Sequence, residues 1–348
     1  MQQPCIHAGD VLKRSLFGRA ALTLIETLVA IGIVVLLVAI VVPAVQRVRE
    51  SARRAACRSN LRQIGLALQQ YESAFGMYPP SYQMTHYWGP PLLRVPKLYS
   101  VQTQLLPFLD RRDVFNLINF DLRLLRQVDP QYEGNTTAAA QRIAVFLCPS
   151  DGRELPDPAA DNSYRTNMGS GPVWFDTGLL DTAKDGAFHV FRMLRRSEIS
   201  DGLANTAAFS ERLRGDGDKT TFSFMGDSFY VPPPYPPIST GHFADLCVQW
   251  YPRMQKHFSD GGTTWLISGR FYTWYDHHEV PNSPVPDCST VSFATGLGSF
   301  PPRSYHPGGV NVLMLDGSVH FISDGIDFQT WRALGTRAGG ESVEGETF

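Results

Sequence analysis

The chain opens with a continuous apolar run whose length fits a membrane. From Leu22 to Val42 the only ionisable residue is Glu26. A helix of that length rises about 30 Å, the thickness of the hydrocarbon core of a bilayer. The pattern therefore predicts a transmembrane helix over residues 22–43.

Beyond Pro43 the pattern changes from apolar on all sides to apolar on one side. Gly76 provides the next helix stop, so an amphipathic helical stem is predicted over residues 44–76. Apolar residues recur within it at steps of three and four, which places them on one helix face that we expect to pack in a core: Cys57, Leu61, Ile64, Leu68, Tyr71 and Phe75.

Residues 77–348 are predicted to form a head of short strands and loops. The 30 Gly and 25 Pro of the chain indicate many turns. Short helices are expected around Arg111–Asn119 and Thr136–Phe146. The predicted fold class is α+β, with the long N-terminal helix packed on a mainly antiparallel β-sheet head that has long loops.

The clearest local element of the head is a β-hairpin near its end. Two β-rich runs, Val310–Leu315 and Ser318–Ile322, are separated by Asp316 and Gly317. Such a dipeptide supplies the positive backbone angles of a two-residue hairpin turn. The hairpin is therefore predicted within residues 304–323.

Residues 212–300 have the least regular pattern of the head. They include the run Tyr230–Pro237, which contains five prolines. Prolines cannot donate to a sheet ladder, so this run is predicted to be a surface loop. Its aromatic neighbours either bind polysaccharide or another subunit, or close a minor core over a long loop, and the second interpretation is favoured.

Charge is distributed unevenly along the chain. The first 75 residues carry nine of the 31 basic side chains and four of the 33 acidic ones, so the remainder is acidic overall. A nucleic-acid partner requires a basic patch on the folded part. Nucleic-acid binding is therefore not expected.

Three interpretations fit the opening run. It is a secretory signal peptide cut after Ala44, a plain signal anchor, or a membrane helix whose short basic leader is removed on the cytoplasmic side. Glu26 discriminates between them, because a carboxylate inside a membrane helix is costly unless it has a function or lies near a helix end. In the third interpretation, the new terminal ammonium lies one helical turn from this carboxylate, and neighbouring subunits can pair the two charges.

The segment Ala21-Leu22-Thr23-Leu24-Ile25-Glu26 resembles the prepilin cleavage and methylation motif of type IV pilins and type II secretion pseudopilins. The resemblance implies a leader over residues 1–21, cleavage between Ala21 and Leu22, and N-methylation at Leu22, with Glu26 as the motif's glutamate. Two positions depart from the motif, which has glycine in place of Ala21 and phenylalanine in place of Leu22.

The same resemblance implies a location and partners. The protein would lie in a bacterial inner membrane with one pass, its N-terminus in the cytoplasm and its head in the periplasm or outside the cell. Its partners would be the prepilin peptidase and methylase, other pilin-like subunits through the N-terminal helix, and membrane lipid. The arginine-rich C-terminal flank of the span favours the opposite orientation, but large domains translocate largely regardless of charge.

A second resemblance lies at the predicted hairpin. His306, nine further residues, and then Asp316 and Gly317 resemble the H-x9-DG signature of a bacterial pseudopilin-like family of unknown function. Matches to that family also occur along the stem and in the middle of the head, as at Cys148-Pro149-Ser150-Asp151 and Ser200-Asp201-Gly202. The signature implies membership but no activity.

Few residues suggest a metal site or a catalytic site. Asp276-His277-His278-Glu279 is the cluster that suggests a metal, but adjacent side chains point in different directions and Pro281 opposes a helix that would gather two ligands. His306 could act with Asp316 or Glu211, yet about 30 Å of extended strand separates His306 from Asp316.

Structural roles are therefore expected for the two signature positions, with His306 bonding a loop backbone and Asp316 shaping the turn. No nucleophile elbow, phosphate loop or paired-carboxylate motif is present in the sequence. We expect a protein that is not an enzyme and that binds no metal or other cofactor.

Five cysteines include Cys5, which would leave with the leader. The other four form an even set, which fits two disulfides in an oxidising compartment and allows three connectivities. The favoured pairing is Cys57 with Cys148 and Cys247 with Cys288. It joins the stem to the head and closes the irregular region on itself.

The sequence favours a membrane-anchored structural subunit of a pilus or secretion pseudopilus. The alternative is an anchored binding module that never polymerises and whose acidic head binds a cell-surface polymer or a protein. A tethered hydrolase is the least favoured function.

Overall fold

A computed structural model of the chain describes residues 23–81, 83–88, 93–122, 135–152, 160–172, 185–190, 192–232, 242–290 and 297–341. The chain divides into two compact units, residues 1–49 and residues 50–348. The predicted class is confirmed, because a long apolar N-terminal helix precedes a head of mixed, mostly antiparallel sheets.

Six α-helices and eleven strands are found in the described part of the chain. The helices are α1 (Leu24–Phe75), α2 (Val101–Leu105), α3 (Arg112–Phe115), α4 (Thr136–Ala139), α5 (Phe243–Trp250) and α6 (Phe328–Gly335). The strands are β1 (Gln83–Trp88), β2 (Leu93–Lys97), β3 (Tyr164–Asn167), β4 (Ala207–Glu211), β5 (Ser228–Tyr230), β6 (His257–Phe258), β7 (Trp274–Tyr275), β8 (Cys288–Ser289), β9 (Gly298–Ser299), β10 (Gly309–Met314) and β11 (Val319–Ser323).

The strands form three sheets. The largest has the order β11-β10-β4-β3-β7, and its pairs are antiparallel except for β3 with β7. A second sheet has the order β6-β5-β8-β9, with β5 and β8 parallel. Strands β1 and β2 pair separately.

Helix α1 is continuous through Pro43, so the predicted boundary between span and stem is a change of side chains and not of backbone. In the first unit its apolar side chains are exposed, and by length and composition it can cross a membrane. The helix ends as predicted, because Gly76 adopts a φ of +69° and donates its N–H to the carbonyl of Glu72 at 2.7 Å.

The stem in the second unit buries the predicted face. Cys57, Leu61, Ile64, Leu68 and Tyr71 lie in the main hydrophobic core, together with side chains of the large sheet and the helices around it. Phe75 was predicted to share that face, but it is 54% exposed.

The region predicted to be irregular, residues 212–300, is more ordered than expected. It contains the second sheet and α5, and its apolar side chains form a minor core that includes Phe229, Phe243 and the Cys247–Cys288 disulfide. This agrees with the favoured interpretation of its aromatic residues. Of the proline run, positions 233–237 lie outside the described residues.

The predicted hairpin is confirmed, but its turn differs. Strands β10 and β11 pair in register from Gly309 with Ser323 to Leu313 with Val319. Only Gly317 takes a positive φ in the turn, at +90°, and the hydrogen bonds of Met314 close a loop over residues 315–317. The turn is therefore a three-residue loop with a glycine bulge instead of a two-residue turn.

Replacing Leu61 by alanine should lower the free energy of unfolding of the second unit by about 2–5 kcal/mol, because this side chain is fully buried in the core. Denaturant unfolding of the purified chain in detergent, followed by tryptophan fluorescence, measures the change. The matched control is Leu66→Ala on the same helix. Leu66 is 58% exposed, so the control should stay within about 0.5 kcal/mol of the parent. Equal losses in both variants would contradict the assigned packing.

Candidate functional site

Glu26, the carboxylate in the apolar run, closes the first turn of α1. Its Oε2 accepts hydrogen bonds from the backbone N–H of Thr23 at 2.9 Å and from the Thr23 hydroxyl at 3.0 Å, and its own N–H donates to Thr23 Oγ1. This is the reciprocal pattern of a capping box. Ala21 and Leu22 lie outside the described residues, so cleavage and the pairing of Glu26 with a terminal ammonium stay predictions.

In the second unit, His306 lies between two carboxylates. Its Nδ1 is 2.6 Å from Glu50 Oε1, and its Nε2 is 3.2 Å from Glu211 Oε1. Glu50 comes from α1, Glu211 ends β4, and His306 lies in the loop before β10. The expectation that His306 bonds a loop backbone was wrong, because both ring nitrogens face carboxylate oxygens brought in by distant elements.

Both carboxylates are held in place by further hydrogen bonds. Asn311 donates its backbone N–H to Glu211 Oε2 at 2.7 Å and its side-chain amide to Oε1 at 2.9 Å. Arg53 donates to Glu50 Oε2 at 2.7 Å, and the Ser150 hydroxyl donates to Oε1 at 3.3 Å. The imidazole therefore meets oxygen atoms whose positions are fixed.

The electrostatics favour a charged imidazole here. Burial alone would lower the pKa of His306, but hydrogen bonds and charge from Glu211 and Glu50 outweigh it and raise that pKa. Burial likewise tends to raise the pKa of Glu50, and His306 and Arg53 reverse this and lower it. The raised pKa of His306 favours an imidazolium between these two carboxylates.

A disulfide adjoins this histidine. Cys57 and Cys148 are bonded with their Cα atoms 5.0 Å apart, and Cys247 and Cys288 with theirs 5.5 Å apart, so both favoured pairings are confirmed. Cys148 Sγ lies 3.6 Å from His306 Nε2 and 3.8 Å from Glu211 Oε1.

The residues around this disulfide have the donor atoms that a metal requires. In the described part of the chain, Cys57, Cys148, Glu211 and His306 each place one ligand atom within 4.8 Å of the others, and all four residues are buried. The sequence placed its metal candidate elsewhere, at residues 276–279.

The other end of the expected signature is at the hairpin turn. Asp316 Oδ1 accepts hydrogen bonds from the Ser318 N–H at 2.8 Å and from the Ser318 hydroxyl at 2.7 Å, which confirms its predicted role in shaping the turn. The carbonyl of Asp316 accepts a hydrogen bond from the Gln69 amide on α1. A Cβ on Gly317 would lie 2.5 Å from that amide, so the contact needs glycine.

The hairpin lies along the stem between the contact of Glu50 with His306 and the contact of Gln69 with the Asp316 carbonyl. Gly65 lies directly below the strand, since a Cβ there would come within 2.8 Å of Leu313. Arg54 stacks over the ring of Phe321 at 3.3 Å.

The segment from His306 to Asp316, which contains β10, is long enough to follow the helix between its two contacts. From Glu50 to Gln69 the helix rises about 28 Å, and ten residues of extended chain span at most about 33 Å. The spacing of His306 and Asp316 therefore suits two attachment points on one helix.

The cluster at residues 276–279 is dispersed, as the sequence suggested. Asp276 accepts the N–H groups of His278 at 3.1 Å and Phe300 at 2.8 Å. The ring of His277 stacks on Trp331 with centroids 3.8 Å apart, and its Nδ1 bonds the Trp331 carbonyl at 2.8 Å. These side chains hold the head together instead of converging on a ligand.

An aromatic cavity of about 580 Å³ lies at the end of α1. Five aromatic rings form most of its wall, and four other residues complete it. The lining consists of Tyr71, Phe75, Phe108, Phe115, Phe120, Gln104, Pro107, Arg112 and Asn116. Sequence reasoning missed this cavity because its aromatic residues come from separate segments and share no period.

The functional contacts of Glu50 and Asn311 were also missed. Glu50 pairs with a residue 256 positions away, and no local pattern reports such a contact. The available signal was weak. Glu50 is the one acidic residue between Arg47 and Arg62 of the stem, and Asn311 is a polar residue in an apolar strand.

His277 and His278, whose pKa values are lowered in the folded chain, should each make the second unit less stable in acid. Burial lowers the pKa of His278 to about 4, with a contribution from the charge of Arg332, and lowers that of His277 to about 3. Below pH 6.5 these two histidines bind protons in the unfolded chain but stay neutral in the folded chain. Their contribution to the free energy of unfolding is therefore lost as pH falls towards 4. Between pH 7 and pH 4.5, His278→Gln should reduce this loss by roughly 2 kcal/mol. Urea unfolding at both pH values tests this, and equal losses in parent and variant would contradict it.

Comparison with known proteins gives one family. No curated protein and no solved structure matches the chain. A family model described as "Protein of unknown function (DUF1559)" matches residues 46–329, which include residues 46–76 of the stem, the His306 cluster and the hairpin. The chain therefore belongs to the DUF1559 family of proteins of unknown function.

Proposed function

We propose that this protein is a membrane-anchored, pseudopilin-like structural protein. It is cut before Leu22 by a prepilin peptidase and serves as a minor subunit of a type IV pilus or a type II secretion pseudopilus. One observation carries the proposal: α1 is long and apolar enough to cross a membrane, and Glu26, the single carboxylate of its apolar run over residues 22–42, lies in its first turn. A charged residue in a membrane helix costs free energy that an apolar residue does not, so the charge of Glu26 is expected to have a function.

The two disulfides support the proposed location. Disulfides persist in oxidising environments and are rare in reducing ones. With the N-terminus in the cytoplasm, the second unit would lie in the periplasm or outside the cell, where Cys57–Cys148 and Cys247–Cys288 are stable.

The attachment of the hairpin to the stem suits a subunit that assembles with its neighbours through the N-terminal helix. Within the second unit, Glu50 contacts His306 in the loop before β10, and Gln69 contacts the Asp316 carbonyl in the turn after it, so the stem holds both sides of one strand of the large sheet. The second unit is bulky, so a minor or tip position is proposed instead of a continuous filament of this subunit. The proposed partners are the peptidase and methylase, other pilin-like subunits and membrane lipid, and no catalytic role is proposed.

Glu26→Gln should abolish incorporation into filaments while leaving α1 intact. Glutamine keeps an oxygen that accepts the Thr23 hydrogen bonds and removes only the charge that would pair with a neighbour's terminal ammonium. We expect at least a ten-fold loss in sheared or cross-linked assemblies, measured with equal membrane levels of parent and variant. Glu72→Gln, on the same helix but outside the apolar run, is the matched control and should assemble normally. Normal assembly of the Glu26 variant would refute the proposal.

Mass spectrometry of the mature N-terminus tests processing independently. N-methyl-leucine at Leu22 supports the proposal. A terminus near Val45 would indicate an ordinary signal peptide, and an intact Met1 would indicate a plain anchor.

The aromatic cavity favours a second candidate function, an anchored module that binds cell-surface polysaccharide. Aromatic faces pack against the apolar faces of sugar rings, and Gln104, Asn116 and Arg112 offer polar groups at the same cavity. A volume of about 580 Å³ accommodates one or two sugar rings.

Phe75→Ala should weaken polysaccharide binding at least five-fold, because Phe75 lines the cavity and is 54% exposed, so its loss changes the cavity more than the fold. Co-sedimentation of the purified chain with insoluble cell-wall polysaccharide measures this. Phe328→Ala is the control, since Phe328 is a partly exposed ring on α6 that does not line the cavity. Equal binding by the two variants, or no binding by the parent, rules out this function.

A further inference from the structure

The donor atoms around His306 have the spacing of a tetrahedral metal site. Zinc binds sulfur at about 2.3 Å and nitrogen or oxygen at about 2.0–2.2 Å, so neighbouring ligand atoms of a tetrahedron lie about 3.3–3.8 Å apart. The three separations among Cys148 Sγ, His306 Nε2 and Glu211 Oε1 are 3.6, 3.8 and 3.2 Å. The two separations from Cys148 Sγ lie within this range, and the 3.2 Å between His306 Nε2 and Glu211 Oε1 is just below it, so the three groups lie close to the positions that ligands of one ion would take.

Cys57 supplies the fourth ligand of the tetrahedral site. Its sulfur is bonded to Cys148 in the structure, and the Cα atoms of the two residues are 5.0 Å apart. Once the S–S bond is broken, rotation of the two side chains can separate the sulfurs to the distance that two thiolate ligands need. Two thiolates, one imidazole and one carboxylate form a ligand set that zinc accepts.

The residues around these four orient them as a metal site requires. Metal-binding histidines usually donate their second N–H to a carboxylate, and Glu50 lies 2.6 Å from His306 Nδ1. Glu211 is oriented by two hydrogen bonds from Asn311. All four ligand residues are buried, so a bound ion would be shielded from water.

We propose that the chain binds one Zn²⁺ through Cys57, Cys148, Glu211 and His306 when the Cys57–Cys148 disulfide is reduced. A dithiol or phosphine reductant gives two electrons to the S–S bond, and the two sulfurs take up two protons as thiols. The ion then replaces both thiol protons and the Nε2 proton of the imidazolium, and these three protons pass to solvent. The disulfide and the metal are mutually exclusive, and each joins α1 to the head.

This inference does not depend on the proposed filament function, because it concerns only residues of the second unit. It also predicts a difference between the two disulfides. Cys247 and Cys288 lie in an apolar cluster with Phe229, Phe243 and Leu246. Among the described residues they are not part of a group able to hold a metal. They serve as an internal control.

Cobalt titration of the full chain in detergent tests the proposal. The chain is reduced with a phosphine, freed of reductant under argon, and titrated with Co²⁺. We expect one Co²⁺ per chain, with the visible absorption of a tetrahedral site and thiolate-to-cobalt charge transfer, and displacement by Zn²⁺. The oxidised chain should bind none.

Variants and thiol protection assign the ligands. Cys57→Ser and His306→Ala should weaken Zn²⁺ binding at least 100-fold, Glu50→Gln should weaken it by about 10- to 100-fold, and Cys247→Ser should leave it unchanged. Zn²⁺ should slow the alkylation of Cys57 and Cys148 and leave the alkylation rates of Cys247 and Cys288, which are fully buried in the apolar cluster, unchanged. Less than a tenth of an ion per reduced chain, unchanged binding in Cys57→Ser, or alkylation of Cys57 and Cys148 at the same rate with and without Zn²⁺ overturns the proposal.

Reduction could also loosen the head, so folding is followed in parallel by near-ultraviolet circular dichroism. If reduction abolishes the signal, Zn²⁺ should restore it in the parent and in Cys247→Ser but not in His306→Ala, because a bound metal stabilises the folded state. A reduced parent chain that stays unfolded with Zn²⁺ contradicts the proposal as firmly as one that folds without binding it.

Discussion

The second unit is organised around the attachment of one strand to one helix. His306 before β10 pairs with Glu50, and the Asp316 carbonyl after β10 accepts a hydrogen bond from Gln69. With its two ends fixed, the strand cannot slide along α1 by one residue, a slip that would turn its core side chains outward. The neighbouring strands β4 and β11 pair directly with β10, so a slip of β10 would also shift their register.

Buried ion pairs fix the positions of loops in the second unit, because the strands there are too short to do so through ladder hydrogen bonds. Asp287 lies between Arg212 and Arg303, and Arg303 also donates to the carbonyls of Ser283 and Val285 at 2.8 and 2.7 Å. Burying such ions carries a large desolvation cost, which is offset only when charges and hydrogen bonds are matched. The strands here have two to six residues, so a buried guanidinium with several acceptors fixes loop geometry that few ladder hydrogen bonds would define.

Local patterns in the sequence predicted the local parts of the fold. The stripe from Cys57 to Tyr71, the stop at Gly76 and the hairpin with Gly317 each follow from neighbouring residues, and the structure has all three. The second sheet was missed because strands of two or three residues are too short for alternation to show. Phe75 fits the periodicity, but its ring lies beside Phe108 at the wall of a cavity and is half exposed. The site was missed where it depends on residues far apart in sequence, as Glu50 and His306 are.

The Cys57–Cys148 disulfide and the His306 ion pairs act on the same junction in different ways. A cross-link between residues 91 positions apart removes unfolded-state freedom worth about 4–5 kcal/mol, but it constrains only one pair of Cα atoms. The pairs of His306 with Glu50 and Glu211 add direction, since both ring nitrogens must face their carboxylates at once. A covalent link that limits distance and an ion pair that fixes orientation together determine how the stem lies against the sheet, and neither alone would do so.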